Sequence, residues 1–169
     1  DEYAAVRKEM ESVAEYLGKS VLREVDEDEF MKNIADIRSS CGDRAVLRAM
    51  HFYGDNARVE KQAAALKAGD FETFKKYIIE SGRSSYMYNQ NVYSCKKASE
   101  QPVSLALSLS EKLLDGCGAW RVHGGGFAGT IQAFVPLNKL DEYKDLMEKV
   151  FGSGSCYILS VRPVGGVEL

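Results

Sequence analysis

Apolar residues recur at helical spacing through most of the first two-thirds of the chain. At the start they fall on one face, from Tyr3 and Val6 to Val13 and Leu17, and Gly18 provides a stop signal. The same pattern, with aspartate caps and glycine stops, predicts helices over residues 2–17, 26–40, 43–66, 70–79, 102–114 and 138–150. We expect Gly54 to interrupt the third helix, Gly82 to end the fourth and Asn138 to cap the last.

The pattern changes after Gly116, where short stretches rich in β-branched and aromatic residues predict strands. Residues 119–123 and 130–135 should form a hairpin-like pair, residues 156–161 a further strand, and the chain beyond Pro163 a last edge strand. Residues 83–99 read as a loop with one turn of helix. The fold class is therefore α+β: a helix-rich first half followed by a small, mainly antiparallel sheet with a glycine-rich loop, in one domain over residues 1–169.

Composition narrows the classes of function. The 22 basic and 25 acidic residues are scattered and give a net charge of -3, which indicates no partner among nucleic acids or anionic membranes. No apolar run is long enough for a bilayer span, so we expect a cytoplasmic protein. The four cysteines are far apart in sequence, which favours reduced thiols over a zinc or redox motif.

The run of glycines near position 125 is the strongest local signal for chemistry. Its residues are Gly124, Gly125, Gly126, Phe127, Ala128 and Gly129. Glycines let backbone amides turn inward and let a phosphate approach without Cβ contacts, so the run is a candidate anion nest. A plain tight turn between two strands explains the same pattern. The run lacks the lysine and hydroxyl residue of a P-loop, so the pattern leaves both interpretations open.

Other polar residues point to structure more than to catalysis. His51 and His123 are the only histidines, and neither has a cysteine or histidine at metal-ligand spacing, so we predict no metal site. Arg48 and Arg58 fit a structural network of ion pairs, with Asp55 or with acidic groups elsewhere. The three tyrosines of the loop could form a ligand platform or cover the edge of the core: Tyr86, Tyr88 and Tyr93.

Several blocks taken together resemble the C-terminal region of galactokinases, in the GHMP small-molecule kinase superfamily. They are the start Glu2, Tyr3 and Arg7; the block Arg48, Ala49, His51, Asp55, Asn56 and Arg58; the block Leu66, Gly69, Asp70 and Phe74; and residues 121–129. The second is similar to R-A-x-H-x-x-x-E-N-x-R, with aspartate in place of glutamate. The last is similar to R-M-T-G-G-G-F-G-G, the third conserved motif of the superfamily. The blocks occur in the family's order and extend over nearly the whole chain.

The resemblance implies the C-terminal part of a two-domain kinase that moves the γ-phosphoryl of ATP onto the anomeric hydroxyl of galactose or a related sugar. Tyr3 would contact the sugar, and residues 124–129 would lie near the nucleotide phosphates. The family's catalytic residues lie in an N-terminal kinase domain, which would be the partner of this chain. ATP and Mg2+ would be cofactors of the intact protein, with none bound tightly by this part. We expect no catalytic residue in this chain. We also expect no activity of this part alone, because phosphoryl transfer depends on catalytic and phosphate-binding groups that position the reactants, and those groups lie in the N-terminal domain.

Departures from the family's pattern leave alternatives open. His123 stands where the motif has threonine, and Ala128 where it usually has glycine. The parent could therefore be a catalytically silent paralogue that acts as a sugar-responsive regulator or binding protein. A third interpretation is a self-sufficient α+β ligand-binding or interaction module in which the glycine run is only a turn.

Overall fold

The computed structural model describes residues 2–127 and 129–161, which belong to two units, Asp1–Phe134 and Val135–Leu169. The helices of the first unit are α1 (Glu2–Tyr16), α2 (Glu27–Lys32), α3 (Ile34–Cys41), α4 (Asp43–Lys67), α5 (Phe71–Ser84) and α6 (Pro102–Leu114). Its two strands are β1 (Ala119–Val122) and β2 (Ile131–Phe134). The second unit contains α7 (Leu140–Phe151). This helix-rich chain with a small antiparallel sheet confirms the predicted α+β class.

Helix starts follow the predicted capping signals. The carboxylate of Asp26 accepts hydrogen bonds from the amides of Asp28 and Glu29 at the start of α2. At the start of α5, the carboxylate of Asp70 accepts from the amide of Thr73 at 3.0 Å. These side chains satisfy amides that have no partner within the first turn of a helix. The caps therefore fix where the chain enters the two helices.

Several predicted boundaries were wrong because contacts within or between elements outweighed local propensity. Asn33 divides the predicted helix over residues 26–40, since its side-chain amide donates to the carbonyl of Glu29 and competes with the helical ladder. Gly54 lies inside an unbroken α4. Gly82 does not end α5 but lies within it, at a close approach to β1 where an added Cβ would be 3.0 Å from the Cβ of Arg121.

The end of the chain differs most from the prediction. A short 3-10 turn over Leu137–Lys139 precedes α7, so Asn138 is not its cap. Residues 156–161 form no strand. Their alternating side chains are mostly exposed, with Tyr157 at 81% and Leu159 at 87%, and a strand needs a partner edge that the pattern alone does not supply. The expected edge strand beyond Pro163 lies outside the described residues.

Two apolar clusters formed by described residues contribute to the core of the first unit. The larger joins α1 to α4 and includes Val13, Ala14, Phe30, Ile37 and Ala49, each at most 1% exposed. The smaller connects α4 and α5 to the hairpin; its members are Ala65, Phe74, Ile78 and Ala119, with Phe134 packed against them. In the hairpin, Ala119 lies opposite Phe134, and Val122 lies opposite Ile131. The loop between β1 and β2 is thereby fixed at one end of a hairpin whose first strand is mostly buried.

No helix among residues 2–127 and 129–161 is long and apolar enough to cross a membrane.

Candidate functional site

The glycine run forms the connection between β1 and β2, and we call residues 124–129 the glycine loop. The amide of His123 donates to the carbonyl of Thr130 at 3.1 Å and closes the base of the loop. Gly124 and Gly126 have φ values of 61° and 75°, a left-handed conformation that glycine adopts without strain. Phe127 adopts φ 45° without being glycine. Ala128, which the sequence placed in this loop, lies outside the described residues.

Two side chains from distant parts of the sequence hold the glycine loop. The phenol of Tyr3 on α1 donates to the carbonyl of Gly126 at 2.6 Å, and its ring meets that of Phe127 edge to face at 5.4 Å and 82°. The side-chain amide of Asn91 donates to the carbonyl of Gly125 at 3.2 Å. The backbone carbonyl of Asn91 accepts from the amide of Phe127 at 2.9 Å. The structure thus brings Tyr3 and the glycine loop into direct contact.

These contacts engage the carbonyl groups of the loop rather than most of its amides. Within residues 2–127 and 129–161, hydrogen bonds use the carbonyls of Gly125 and Gly126 and the amide of Phe127. The amides of Gly124, Gly125 and Gly126 donate to no acceptor in this part of the chain. Successive unengaged amides next to left-handed glycines are the elements of an anion-binding nest. These amides are the groups of the loop that would face an oxyanion.

A cleft of about 560 Å³ adjoins the loop. Tyr3, Gly124 and Gly125 contribute to its lining. Its apolar wall consists of Val6, Met10, Val21, Leu22 and Phe52, and its polar residues are Arg7, Glu11, Arg23, Asn89 and Asn91. A cleft of this size with few polar groups is the usual form of a small-molecule site.

An ion network centred on a buried arginine lies next to the cleft. Arg48 of α4 is 1% exposed and donates from Nη1 to Glu9 of α1 at 2.8 Å and from Nε to the carbonyl of Asn89 at 3.0 Å. Glu9 also pairs with Arg44. Burial favours a higher pKa for Glu9, but the hydrogen bond and charge of Arg44 and the charge of Arg48 outweigh it and lower the pKa. The network fastens α1, which carries Tyr3, to α4 and to the segment that carries Asn91.

His51 belongs to a second polar group between α4 and α5. Its Nδ1 lies 2.9 Å from the hydroxyl of Ser84, and burial lowers the pKa of the imidazole. Nearby, the carboxylate of Asp55 accepts from Ser81 at 2.7 Å and pairs with Arg58 at 3.0 Å. The prediction that Arg48 and Arg58 serve ion pairs is confirmed, with Glu9 and Asp55 as the partners. His51 packs in this interior rather than lining the cleft.

Among the described residues, neither a metal cluster nor the group of three tyrosines lies at this cleft. In the part of the chain that the structure describes, no three His, Cys, Asp or Glu side chains are close enough to hold a metal ion. Tyr86 and Tyr93 pack at 6.4 Å, and the Tyr86 hydroxyl donates to Ser104 at 3.4 Å. Tyr86 borders a different cleft, of about 410 Å³, with Met87, Leu107 and Trp120.

Sequence reasoning missed Asn91. It lies in the segment read as a loop, where polar residues are ordinary, and its contacts reach 34 residues along the chain. No local pattern marks such a residue, because its role depends on where the hairpin places Gly125. The structural signs are its burial to 2% exposure and a side chain whose Nδ2 donates to the loop while Oδ1 has no partner among the described residues.

Comparison with known proteins identifies galactokinases among the relatives of this chain. No protein-family model matches the chain. The chain is 31% identical over 168 residues to a galactokinase of Homo sapiens, covering 99% of this chain and 40% of that protein. It is 31% identical over 158 residues to a galactokinase of Bos taurus, covering 93% of this chain and 37% of that protein. It is 25% identical over 146 residues to a galactokinase of Mannheimia succiniciproducens, covering 86% of this chain and 36% of that protein. The chain thus spans 40% or less of the length of these curated relatives, and it is galactokinase-like along nearly its whole length.

Proposed function

We propose that this galactokinase-like chain is the C-terminal part of a sugar kinase that transfers the γ-phosphoryl of ATP to the anomeric hydroxyl of galactose or a related sugar. One observation carries the proposal: Gly124 and Gly125, whose amides have no acceptor among residues 2–127 and 129–161, line a cleft together with Tyr3. The similarity to galactokinases supports this choice over a plain turn in a self-sufficient module.

The glycine loop fits an ATP phosphate as a backbone cradle. A Cβ added at Gly125 would lie 2.9 Å from Cε1 of Tyr3, so a larger residue would press against the ring that holds the loop. The amides of residues 124–126 would donate to phosphate oxygens and stabilise the negative charge that is redistributed during transfer. In this proposal the loop positions the nucleotide and takes no part in proton transfer.

Tyr3 would bind the sugar while holding the loop. Its phenol donates to the carbonyl of Gly126, and Tyr3 lines the cleft. We propose that Tyr3 also contacts the sugar. The sugar and the phosphate loop would then share one side chain, which fixes the distance between the two reactants.

The groups that perform the chemistry would lie elsewhere in the longer protein. Mg2+ neutralises phosphate charge in phosphoryl transfer. The described part of this chain contains no group of three side chains that could hold a metal ion. We therefore propose that the nucleotide and residues outside the described part would hold Mg2+. The catalytic base would come from an N-terminal kinase domain. Positioning alone by the glycine loop gives little rate, so the 169-residue chain alone should be inactive.

A comparison of two proteins tests the proposal. The purified 169-residue chain and the longer protein that contains it are each incubated with ATP, Mg2+ and galactose, and galactose 1-phosphate is measured. We expect product from the longer protein only. Product from the short chain would contradict the division of roles. Galactose binding by the longer protein without any product would favour the silent regulator instead.

The role of Tyr3 has a matched control on the same helix. Tyr3→Ala in the longer protein should raise the galactose KM about tenfold or more and the ATP KM less, since it removes a hydrogen-bonding group from the sugar site. Tyr16 lies at the other end of α1 and is 44% exposed, against 46% for Tyr3. Tyr16→Ala should leave both constants within twofold. An unchanged galactose KM in Tyr3→Ala would remove Tyr3 from the list of sugar ligands.

A further inference from the structure

We propose that Asn91 is a positioning residue, which holds the glycine loop in the conformation that presents its amides. Asn91 makes two of the three hydrogen bonds described above for the loop, one from its side chain to the carbonyl of Gly125 and one through its backbone to the amide of Phe127. The side chain is 2% exposed and also borders the cleft. The consequence for catalysis rests on the proposed function, whereas the effect on the loop does not.

The chemistry of the contact fixes the orientation of the Asn91 amide. The carbonyl of Gly125 can only accept, so the side-chain atom that faces it at 3.2 Å must be Nδ2. This orientation leaves Oδ1 buried without a partner in the part of the chain that the structure describes. An unsatisfied buried acceptor costs about 1–3 kcal/mol. The hydrogen bond from Nδ2 to the glycine loop offsets part of this cost.

Backbone strain converges on the same contact. Among residues 2–127 and 129–161, Gln90 and Phe127 are the non-glycine residues with positive φ, at 54° and 45°. Gln90 directly precedes Asn91, and Phe127 donates to the carbonyl of Asn91. Strained non-glycine residues persist where the surroundings over-determine them, and they cluster at functional sites. Here one of them, Phe127, donates the hydrogen bond to the carbonyl of Asn91, and the other, Gln90, precedes the residue that accepts it.

The segment that carries Asn91 is itself anchored. Helix α5 ends in a π turn over Ser85–Asn89, a feature found frequently at functional sites. The buried guanidinium of Arg48 then binds the carbonyl of Asn89. Asn91 therefore projects from a fixed backbone rather than from a loose loop. A fixed donor can set the position of the carbonyl of Gly125, and so the direction of the neighbouring amides.

Amide hydrogen exchange in the 169-residue chain tests whether Asn91 holds the glycine loop, without any assay of activity. The amide of Phe127 donates to the backbone carbonyl of residue 91, which is still present in Asn91→Ala. If the side chain of Asn91 holds the loop, the Phe127 amide should exchange about tenfold faster in Asn91→Ala. If it does not, the exchange rate should stay unchanged. The amide of His123, at the base of the same loop, should be unaffected. Asn91→Asp keeps the shape but lacks the donor, and it should behave like Asn91→Ala.

Ser84→Ala is the control for general destabilisation. It removes the buried hydrogen bond to His51 and should lower the melting temperature while leaving the exchange of Phe127 unchanged. In the longer protein, Asn91→Ala should lower kcat/KM for ATP about tenfold to a hundredfold and change the galactose KM less than twofold. Ser84→Ala should leave both values near those of the wild type.

The outcomes separate this inference from the proposed function. Equal exchange of the Phe127 amide in Asn91→Ala, Ser84→Ala and wild type would overturn the positioning role. A longer protein that makes no sugar phosphate would overturn the proposed function, and the exchange experiment would still decide the role of Asn91. Faster exchange with unchanged kinetics for ATP would support the positioning role of Asn91 and overturn only its consequence for the nucleotide.

Discussion

Replacing Gly126 with alanine should lower the stability of the first unit far more than replacing Gly124 with alanine. The two glycines nevertheless lie in one loop and have similar backbone conformations. Their φ values are 75° and 61°. A Cβ added at Gly124 would meet nothing within 4 Å, whereas a Cβ added at Gly126 would collide with the backbone carbonyl of Asn91. The pair therefore separates the cost of a left-handed alanine from the cost of displacing the loop.

The expected magnitudes follow from the contacts. A left-handed alanine costs about 1–2 kcal/mol, and both variants share this cost. In Gly126→Ala the loop must also move away from Asn91, which breaks the hydrogen bonds to Tyr3, the Asn91 side chain and the Asn91 backbone. At about 1 kcal/mol each, these bonds add about 3 kcal/mol. For a chain of this length, an additional loss of about 3 kcal/mol in the free energy of unfolding lowers the melting temperature by roughly 6–12 °C.

Thermal unfolding followed by circular dichroism measures both variants beside the wild type. The melting temperature of Gly124→Ala should fall by a few degrees, and that of Gly126→Ala by several times as much. Exchange of the Phe127 amide should accelerate in Gly126→Ala only. Equal falls in the two variants would refute the reasoning, because they would show that the contact between the glycine loop and Asn91 contributes nothing to stability.

Two further predictions concern the buried polar groups behind the cleft. Burial lowers the pKa of His51, so the unfolded chain binds more protons below a pH of about 6.5, and the free energy of unfolding should fall as the pH drops from there. His51→Gln should flatten this dependence between pH 7.5 and 5.5, and an unchanged slope would contradict it. Glu9→Gln removes the carboxylate that pairs with the buried guanidinium of Arg48 and should cost about 3 kcal/mol. Glu11→Gln, which breaks an exposed pair with Arg7, should cost under about 0.5 kcal/mol, and similar losses in a urea titration would argue against the network.

Local signals predicted the elements of the first unit but not all of their ends. The caps at Asp26 and Asp70 were found because they act within one turn. Gly82 was misread as a stop signal, since the sequence does not show that β1 packs against this point of α5. The strand expected over residues 156–161 failed for a related reason: alternation describes one strand, whereas a sheet also requires a partner.

The site could be predicted in part. The glycine loop was visible in the sequence, and the resemblance to galactokinases added Tyr3, but whether the two touch depends on packing between α1 and the hairpin. Asn91 and the bond from Arg48 to Asn89 carried no signal, because both depend on contacts between distant residues. Their roles as ligands or positioning groups stay predictions until the experiments above are done.

The contact between Tyr3 and Gly126 spans 123 residues of sequence. During synthesis at roughly 5–20 residues per second, helix α1 leaves the ribosome about 6–25 s before the residues that cover its tyrosine. Through that interval the apolar wall of Val6 and Met10 has no glycine loop beside it. A nascent chain stalled before residue 124 should therefore bind chaperones through this helix, and one stalled after β2 has left the exit tunnel should bind them less.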